Sequence, residues 1–298
     1  MANKPTPAPV IPAQLSCWHG PVDPQPVAGG ITNMNFSVVD QGRRYFVRIG
    51  EDIPVHGIVR ANELAASRAA QAAGIAPAVV HAEPGALVFE FIDGRTFSPA
   101  DVRDPRNLDR VVSLIKRCHR AIPEHLRGPA AMFWVFHVVR DYGHTLAAGN
   151  SRHLARLPSL LATAARLEEA LGPVEIVFGH NDLLSTNFID DGQRLWLVDW
   201  EYAGYNSPLF DLGGVASNNE FTADLSQRLI ESYFGRPLDD ELARRFAAMT
   251  AASLLRETMW SMVSEIHSKI AFDYPAYTAE NLARFEAALA TFDEMDDA

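Results

Sequence analysis

The sequence predicts an α+β protein with two lobes, a small lobe rich in β-strands and a larger, mainly helical lobe. The chain has 298 residues, enough for two domains of ordinary size. From Pro26 to Phe91, the β-type runs NFSVV, RYFVRI and ALVFEFI alternate with turn signals and enclose one Ala-rich helical segment that ends at Gly74. After Asp93 and Gly94, helical periodicity dominates.

The larger lobe contains several segments with apolar residues at helical spacing. The first is NLDRVVSLIKRCHRAI, which Pro123 is expected to end. Four more segments are typical of helices: LPSLLATAARLEEALG, DLSQRLIESYFG, ELARRFAAMTAASLLRETMWSMVSEIHSKI and YTAENLARFEAALATF. Residues 174–199 differ, because VEIVF, NFID and RLWLVD have the composition of short strands, the last two joined by a hairpin turn at Asp191 and Gly192.

Composition limits the class of protein. The Pro- and Ala-rich residues 1–14 are expected to be poorly ordered, with the small lobe at residues 15–92 and the large lobe at residues 93–298. The 26 basic and 37 acidic residues give a net charge of −11, which disfavours nucleic acid or an anionic membrane as a partner. The sequence contains no run of about 18 apolar residues, so it does not predict a membrane span. Cys17 and Cys118 lack metal-ligand spacing and fit a reducing, cytoplasmic setting.

A polar motif, GHNDLLSTN at residues 179–187, interrupts the strand-like sequence of the large lobe. Taken alone it is equally compatible with a plain polar loop, since Asn and Asp favour turns. A zinc site is disfavoured because no further His lies at ligand spacing. A hairpin would bring Asp199, at the end of the following strand, back beside the motif. Asp182, Asn187 and Asp199 would then supply a base and hard oxygen ligands suited to Mg²⁺ in phosphoryl transfer.

The pattern H-x-D-x-x-x-x-N at residues 180–187, followed by Asp199, resembles the catalytic loop and metal-binding aspartate of the kinase-like phosphotransferases. This superfamily includes the aminoglycoside phosphotransferases and the choline/ethanolamine kinases. The continuation VDWEYAGYNSPLFDLG, residues 198–213, is more similar to the choline/ethanolamine kinase branch. The resemblance extends roughly over residues 27–285 and implies a two-lobed protein-kinase-like fold.

The resemblance implies roles for the polar residues of the large lobe. Asp182 is the expected base or orienter that accepts the proton of the substrate hydroxyl, and Asn187 and Asp199 are the expected Mg²⁺ ligands. His180 is expected to be a buried scaffold residue, because the resemblance leaves neither the acid nor the base role open for it. Asp211 is expected to brace the catalytic loop.

The small lobe is expected to bind ATP. The residues concerned are Gly29, Gly30, Thr32, Asn33, Arg48, Glu63, Glu90 and Ile92. The glycines of the AGGITNMNF turn allow the backbone to approach the phosphates closely. Arg48 stands where protein kinases use Lys, and its guanidinium would bind two phosphate oxygens. Glu63 is its expected acidic partner. The backbone of Glu90 and Ile92 would hydrogen-bond adenine.

The expected acceptor pocket contains Tyr202, Asn218, Glu257 and Trp260. Trp260 matches an aromatic wall around a quaternary ammonium, where cation–π attraction would act; without the resemblance it is more typical of a helix core. The sequence departs from the family at two positions, with Glu257 where a further Trp is expected and Asn218 where an acidic residue is expected. A carboxylate at Glu257 could still pair with a cationic amine.

The resemblance implies an ATP- and Mg²⁺-dependent kinase that phosphorylates the hydroxyl of a small cationic alcohol, choline or a related amino alcohol. Ethanolamine, thiamine and aminoglycosides are alternative acceptors, and an inactive nucleotide-binding scaffold is the alternative outside the enzymes. A homodimer is compatible with this function. Glu201 is left open between a second metal ligand and an acceptor of backbone hydrogen bonds.

Overall fold

The computed structural model describes residues 10–27 and 32–296. The small lobe is built on a five-stranded antiparallel sheet with the order β1-β2-β3-β5-β4. Its strands are β1 Gln25–Pro26, β2 Met34–Asp40, β3 Arg43–Ile49, β4 Val79–Glu83 and β5 Ala86–Glu90. Gln41 and Gly42, both with positive φ, turn the chain between β2 and β3, as the Asp-Gln-Gly sequence predicts.

Helix α1, Arg60–Ala72, is the predicted Ala-rich helix of the small lobe. Its small buried side chains, among them Ala66, Ala69 and Ala70, let it lie close against β4 and the helices of the large lobe. It ends before Gly74, whose φ of 69° is the left-handed conformation that glycine favours.

The segment before β1 contradicts part of the expected disorder over residues 1–14. Pro12–Gln14 forms a 3-10 helix, and the indole Nε1 of Trp18 donates to the Pro12 carbonyl at 2.8 Å. Val10 and Leu15 pack on the apolar core of the small-lobe sheet. Apolar side chains within a Pro-rich stretch therefore anchor residues 10–14, which composition alone did not reveal.

The large lobe is mainly helical. Its helices are α2 Pro99–Arg103, α3 Pro105–His125, α4 Val135–Ala148, α5 Leu157–Leu171, α6 Pro208–Asn218, α7 Ala223–Phe234, α8 Asp240–His267 and α9 Tyr274–Asp296. Helix α8 lies at the centre and packs against α4, α5, α6 and α9. No helix in the described ranges is long and apolar enough to cross a membrane.

Pro123 does not end α3 as the sequence predicted, because the helix continues to His125. Proline lacks the N–H that would bond the carbonyl four residues earlier, but here that loss falls in the last turn of the helix, where little of it remains to be disrupted.

Short strands in the large lobe form two small sheets. These strands are β6 Arg95–Thr96, β7 Val177–Gly179, β8 Phe188–Asp190, β9 Leu195–Leu197 and β10 Gly204–Asn206. The predicted hairpin between NFID and RLWLVD is present as β8 and β9. The third predicted strand, β7, pairs instead with β10. The backbone N–H of Leu197 donates to the Ile75 carbonyl at 2.8 Å, so the hairpin also joins the two lobes.

Replacing Gly204 by Ala should destabilise the protein by about 1–3 kcal/mol, the usual cost of overpacking. A Cβ at this position would lie 2.7 Å from the Ala131 carbonyl oxygen, which is fixed because it accepts the Tyr205 N–H at 2.8 Å. Urea denaturation followed by circular dichroism measures the change.

The matched control is Gly214→Ala in α6, where the new Cβ would meet only the Ser253 Oγ at 3.6 Å. This change should be neutral or stabilising by up to about 1 kcal/mol, because Ala is the better helix former. Equal destabilisation by both variants would contradict the steric argument.

Candidate active site

The loop between β7 and β8 is fixed by one carboxylate, that of Asp211 in the first turn of α6. Its two oxygens accept the backbone N–H groups of His180 at 2.8 Å and Asn181 at 2.7 Å. The His119 Nε2 of α3 lies 2.9 Å from the same carboxylate. Burial alone would raise the pKa of Asp211, but these hydrogen bonds, led by that of His119, hold it below its usual value. Asp211 thus braces the loop, the role that the sequence suggested.

Two non-glycine residues of the site have a left-handed backbone. Asn181 has a φ of 65° and Asp199 a φ of 72°. Such conformations are costly and persist where the surroundings enforce them, most often at functional sites. The conformation of Asn181 is stabilised by hydrogen bonds that its Nδ2 donates to the carbonyls of Tyr202 at 3.0 Å and Gly204 at 3.1 Å. Sequence reasoning did not single out Asn181.

The structure brings Asp182, Asn187 and Asp199 into one region. The Asn187 Nδ2 donates to the Asp182 carbonyl at 2.8 Å, which orients the amide oxygen away from the loop backbone. The Val198 N–H donates to the Asn187 carbonyl at 3.0 Å, so Asp199 follows directly beside Asn187. The hairpin of β8 and β9 produces this neighbourhood, as the sequence predicted.

His180 is fully buried and belongs to the scaffold by geometry. Its Nε2 lies 2.9 Å from the Val198 carbonyl, to which it donates as the N–H tautomer. Its ring meets the Trp200 indole edge-on at 4.7 Å. Burial lowers the pKa of His180 and keeps the ring neutral.

Five charged side chains form a connected network between the lobes. The Arg48 Nη1 lies 2.6 Å from Glu63 and 2.6 Å from Asp199, so the ion pair expected between Arg48 and Glu63 is present. The Arg60 Nη1 contacts Glu63 at 2.6 Å and Glu201 at 3.0 Å. Burial raises the pKa of Asp199, but the Arg48 guanidinium more than offsets this and holds it below its usual value.

The network favours a bound cation. Two arginines and three carboxylates sum to 2 − 3 = −1. The carboxylate of Asp199 and the amide oxygen of Asn187 are hard donors of the kind that Mg²⁺ prefers. Both oxygens of Glu201 already accept hydrogen bonds from protein side chains. The residues present therefore fit the metal that the sequence implies.

The end of the glycine turn closes onto this network. The Thr32 Oγ1 donates to Glu201 at 3.0 Å, and the Asn33 Nδ2 donates to Glu201 at 2.9 Å. The Glu201 carboxylate thus accepts side-chain donors, whereas the sequence left open backbone donors or a metal. Gly29 and Gly30, expected to approach the phosphates, lie outside the described residues.

The predicted adenine contacts lie at the end of the small-lobe sheet. Glu90 is the last residue of β5, and its N–H donates to the Ala78 carbonyl at 2.9 Å. The Glu90 carbonyl is therefore the backbone group that remains to hydrogen-bond an adenine base. Ile92 follows two residues later, in the connection to the large lobe.

A small cavity of about 10 Å³, room for about one water molecule, lies beside the loop that carries Asp182. Asp182, Asn218 and Glu257 line it, together with Ser253 and Arg256. Two of the four predicted acceptor-site residues, Asn218 and Glu257, thus line the cavity together with the predicted base. Tyr202 and Trp260 are not among the described side chains that line it. The wall of this cavity is mainly polar and charged.

Tyr202 and Trp260 lie behind that wall and contact each other. The Trp260 Nε1 donates to the Tyr202 hydroxyl at 2.8 Å. The His56 ring stacks on the Trp260 indole at 5.0 Å, and Tyr274 lies 6.1 Å away. The tryptophan expected to face a substrate is buried among protein rings in this structure.

Arg256 is a charged residue of the cavity that sequence reasoning missed. Its side chain is only 4% exposed, its Nη1 contacts Glu257 at 2.8 Å, and its guanidinium covers the Tyr202 ring at 4.3 Å. Burial raises the pKa of Asp182 well above its usual value; Arg256 opposes this rise, and Glu257 adds to it.

Comparison with known proteins assigns the chain to a family. The family model for choline/ethanolamine kinase matches residues 25–233. Protein LicA of Haemophilus influenzae is 25% identical over 278 residues, covering 90% of this chain and 79% of that protein. A probable ethanolamine kinase of Arabidopsis thaliana is 26% identical over 286 residues, covering 84% of this chain and 75% of that protein.

A solved structure agrees with these relatives. The choline/ethanolamine kinase family protein of Mesorhizobium loti is 29% identical, with a TM-score of 0.75 and coverage of 94% of this chain and 92% of that chain. The chain belongs to the choline/ethanolamine kinase family. It is a phosphotransferase enzyme with a two-lobed protein-kinase-like fold, as the sequence predicted.

Two arginines of this kinase escaped the sequence analysis as site residues. Arg60 stands one helical turn before Glu63, and only the tertiary structure shows that it also reaches Glu201. Arg256 follows Leu254 and Leu255 within α8. Arg256 is a positive charge in a helix that is buried on most sides. Because unpaired charges are rarely buried, this was the sequence signal that could have indicated a functional role for Arg256.

Changing Asp211 to Asn should lower the free energy of unfolding by about 1.5–3 kcal/mol, the range for losing a hydrogen bond to a charged group. The amide would keep one acceptor oxygen and turn an NH₂ group towards a backbone N–H or His119. Urea denaturation tests this, with Asp109→Asn on the exposed face of α3 as the matched control. Equal stability of both variants would contradict the bracing role.

With Asp182 as the expected base, the turnover number should fall as the pH falls, because the base must be ionised. The midpoint should lie above the ordinary range of an Asp carboxyl, because burial raises the pKa of Asp182. Arg256→Gln removes a neighbouring positive charge and should move this limb to higher pH. Glu257→Gln removes a negative charge and should move it to lower pH. Values of kcat at saturating substrates, measured from about pH 5 to 9, give both shifts.

Arg117→Gln is the control for these profiles, since Arg117 donates to the Ala73 carbonyl outside the site. Shifts of the same sign in Arg256→Gln and Glu257→Gln would contradict the assignment of this limb to Asp182.

Proposed function

We propose that this kinase transfers the γ-phosphoryl group of ATP, with Mg²⁺, to the hydroxyl of choline or a related amino alcohol. The observation on which this rests is the placement of Asp182 between the cavity and the pair Asn187 and Asp199. Asp182 lines the small cavity, its carbonyl accepts the Asn187 amide, and the β8–β9 hairpin brings Asp199 beside Asn187.

Phosphoryl transfer requires positioning and charge neutralisation more than covalent chemistry. The acceptor hydroxyl oxygen bonds to the γ-phosphorus, the bond from that phosphorus to the β,γ-bridging oxygen breaks, and ADP leaves. The hydroxyl proton passes to the Asp182 carboxylate. The raised pKa of this carboxyl suits it to accept a proton near neutral pH.

The charged network assigns the remaining roles. Asn187 and Asp199 would hold Mg²⁺, which when bound neutralises charge on the phosphate oxygens. Arg48 would fork to the phosphates while Glu63 keeps its side chain extended. Glu201 accepts hydrogen bonds from Thr32 and Asn33, the residues that follow Gly29 and Gly30 in the sequence.

The charge of the cavity supports an amine-bearing acceptor. Asp182 and Glu257 line it, and carboxylates in a partly desolvated site favour a cationic group. The family and its choline and ethanolamine kinase members support an amino alcohol as the class. Choline itself is the amino alcohol that the sequence indicates. Because the His56 ring covers one face of the Trp260 indole, a cation–π contact between choline and that face would require His56 to move.

Asp182→Asn should lower kcat by about 10²- to 10⁴-fold, the usual contribution of a general base, while ATP binding is retained. The measurement couples ADP formation to a spectroscopic readout with choline, ethanolamine, thiamine and an aminoglycoside as acceptors. A titration with Mg²⁺ and ATP, followed by thermal shift, reports nucleotide binding separately.

Full turnover by Asp182→Asn would contradict the base assignment. ATP binding without ADP formation from any acceptor would contradict the kinase proposal and favour a nucleotide-binding scaffold. Asp109→Asn, in an exposed position of α3, is the matched control and should behave as the unchanged protein.

A further inference from the structure

A second cavity, of about 310 Å³, lies in the small lobe between α1 and the hairpin of β4 and β5. Its volume falls at the lower end of the range for ligand pockets, about 300–1,000 Å³. Apolar side chains form much of its wall, namely those of Ala61, Leu64, Ala82, Pro84, Ala86 and Leu87. This small-lobe cavity is therefore large and apolar enough to hold a small organic molecule.

The small-lobe cavity is separate from the places expected for adenine and for the acceptor. Ala86 pairs with Ile49 at one end of β5, and Glu90 pairs with Tyr45 at the other. The cavity lies at the Ala86 end, and the expected adenine contacts begin at Glu90, about 13 Å away along the strand. None of the large-lobe residues that the structure describes lines it. Adenine or acceptor binding therefore does not account for this cavity.

One hydrogen-bond donor in the wall of this cavity has no protein acceptor. The Arg48 side chain lines the cavity and is only 8% exposed. Its Nη1 contacts Glu63 and Asp199, each at 2.6 Å, but its buried Nε has no hydrogen-bond partner within residues 10–27 and 32–296. Because buried polar groups in proteins are nearly always hydrogen-bonded, this Nε indicates a ligand that supplies an acceptor.

The charges that line the cavity favour an uncharged ligand. The two arginines and two glutamates of the lining sum to 2 − 2 = 0. Glu63 accepts hydrogen bonds from Arg48 and Arg60, each at 2.6 Å, and Glu83 accepts the Ser16 hydroxyl at 2.8 Å. Both carboxylates thus have partners in the protein. An ion in this apolar cavity would lose its hydration and gain no opposite net charge.

We propose that the small-lobe cavity is a second binding site, for an uncharged organic molecule with an apolar body and one carbonyl oxygen. The carbonyl oxygen accepts a hydrogen bond from the Arg48 Nε. Since Nη1 of the same guanidinium contacts Asp199, occupancy of this site and binding of ATP influence each other. Such coupling acts equally in both directions.

The first test compares acetophenone, benzoate and benzylammonium, which are similar in size and differ in charge. Ligand-observed NMR titration of the full chain without nucleotide gives the Kd of each. Acetophenone should bind at least about tenfold more tightly than either ion, because an apolar cavity of zero net charge disfavours both. Equally tight binding of either ion, or no binding of acetophenone, overturns the proposal.

A pair of variants in α1 tests the location of the site. Ala61→Phe places a ring in the cavity from an exposed position, and it should weaken acetophenone binding at least about tenfold. Ala72→Phe, at another exposed position of α1 and outside the lining, is the matched control and should leave the Kd unchanged. Equal affinity of Ala61→Phe and the unchanged protein overturns the location.

The infrared spectrum of acetophenone with an isotope-labelled carbonyl tests the contact with Arg48. The stretching frequency of the bound ketone should be lower than in a hydrocarbon solvent, because a hydrogen bond weakens the C=O bond. The same frequency in the protein and in the hydrocarbon overturns the Arg48 contact.

The titration with acetophenone is then repeated at increasing concentrations of ATP and Mg²⁺. The Kd of acetophenone should change by about fivefold or more and reach a plateau, because two ligands at separate, coupled sites bind together. A Kd that rises without a plateau would mean one shared site, and an unchanged Kd would contradict the coupling. Absence of phosphoryl transfer to any acceptor would count against the proposed function alone, since none of these measurements uses turnover.

Discussion

The active site depends on one buried carboxylate. Asp211 stands in the first turn of α6 and accepts two consecutive backbone N–H groups at the end of β7, while His119 contacts it from α3. Three elements distant in sequence are therefore joined at one side chain. Since bonds to a buried carboxylate are strong and fixed in direction, they determine where the catalytic loop leaves the sheet.

The positions of the chemical groups follow from that anchor. The loop presents Asp182 to the cavity and returns at Asn187, and the hairpin of β8 and β9 brings Asp199 alongside. The left-handed backbone of Asn181 and Asp199 indicates that local conformational energy is given up for this arrangement. The surrounding core offsets that cost, since Phe188 and Leu197 of the hairpin are fully buried.

Charge is balanced differently on the two sides of Asp182. On the side of the small lobe, Arg48 and Arg60 are each shared between two carboxylates, so the network is connected. On the cavity side, the Arg256 guanidinium contacts the Glu257 carboxylate and interacts with the Tyr142 hydroxyl.

Local sequence determined most of the fold and the catalytic motif. Hydrophobic periodicity and turn residues predicted α1, α3, α5, α7, α8 and α9 and the hairpin, because these signals act within a few residues. They missed the order of residues 10–14 and the continuation of α3 through Pro123. The spacing from Asp182 to Asn187, followed by Asp199, predicted their convergence, since a hairpin returns the chain to its start.

Only the tertiary structure decided which side chains line the cavity beside Asp182. Trp260 and Arg256 lie on the same helix four residues apart, and the pattern of α8 does not indicate which of them faces a cavity, because this helix is buried on most sides. Packing of His56 against Trp260 and of Tyr202 against Arg256 sets that choice. These contacts join residues about 50 to 200 positions apart in the chain, and no short-range rule encodes them.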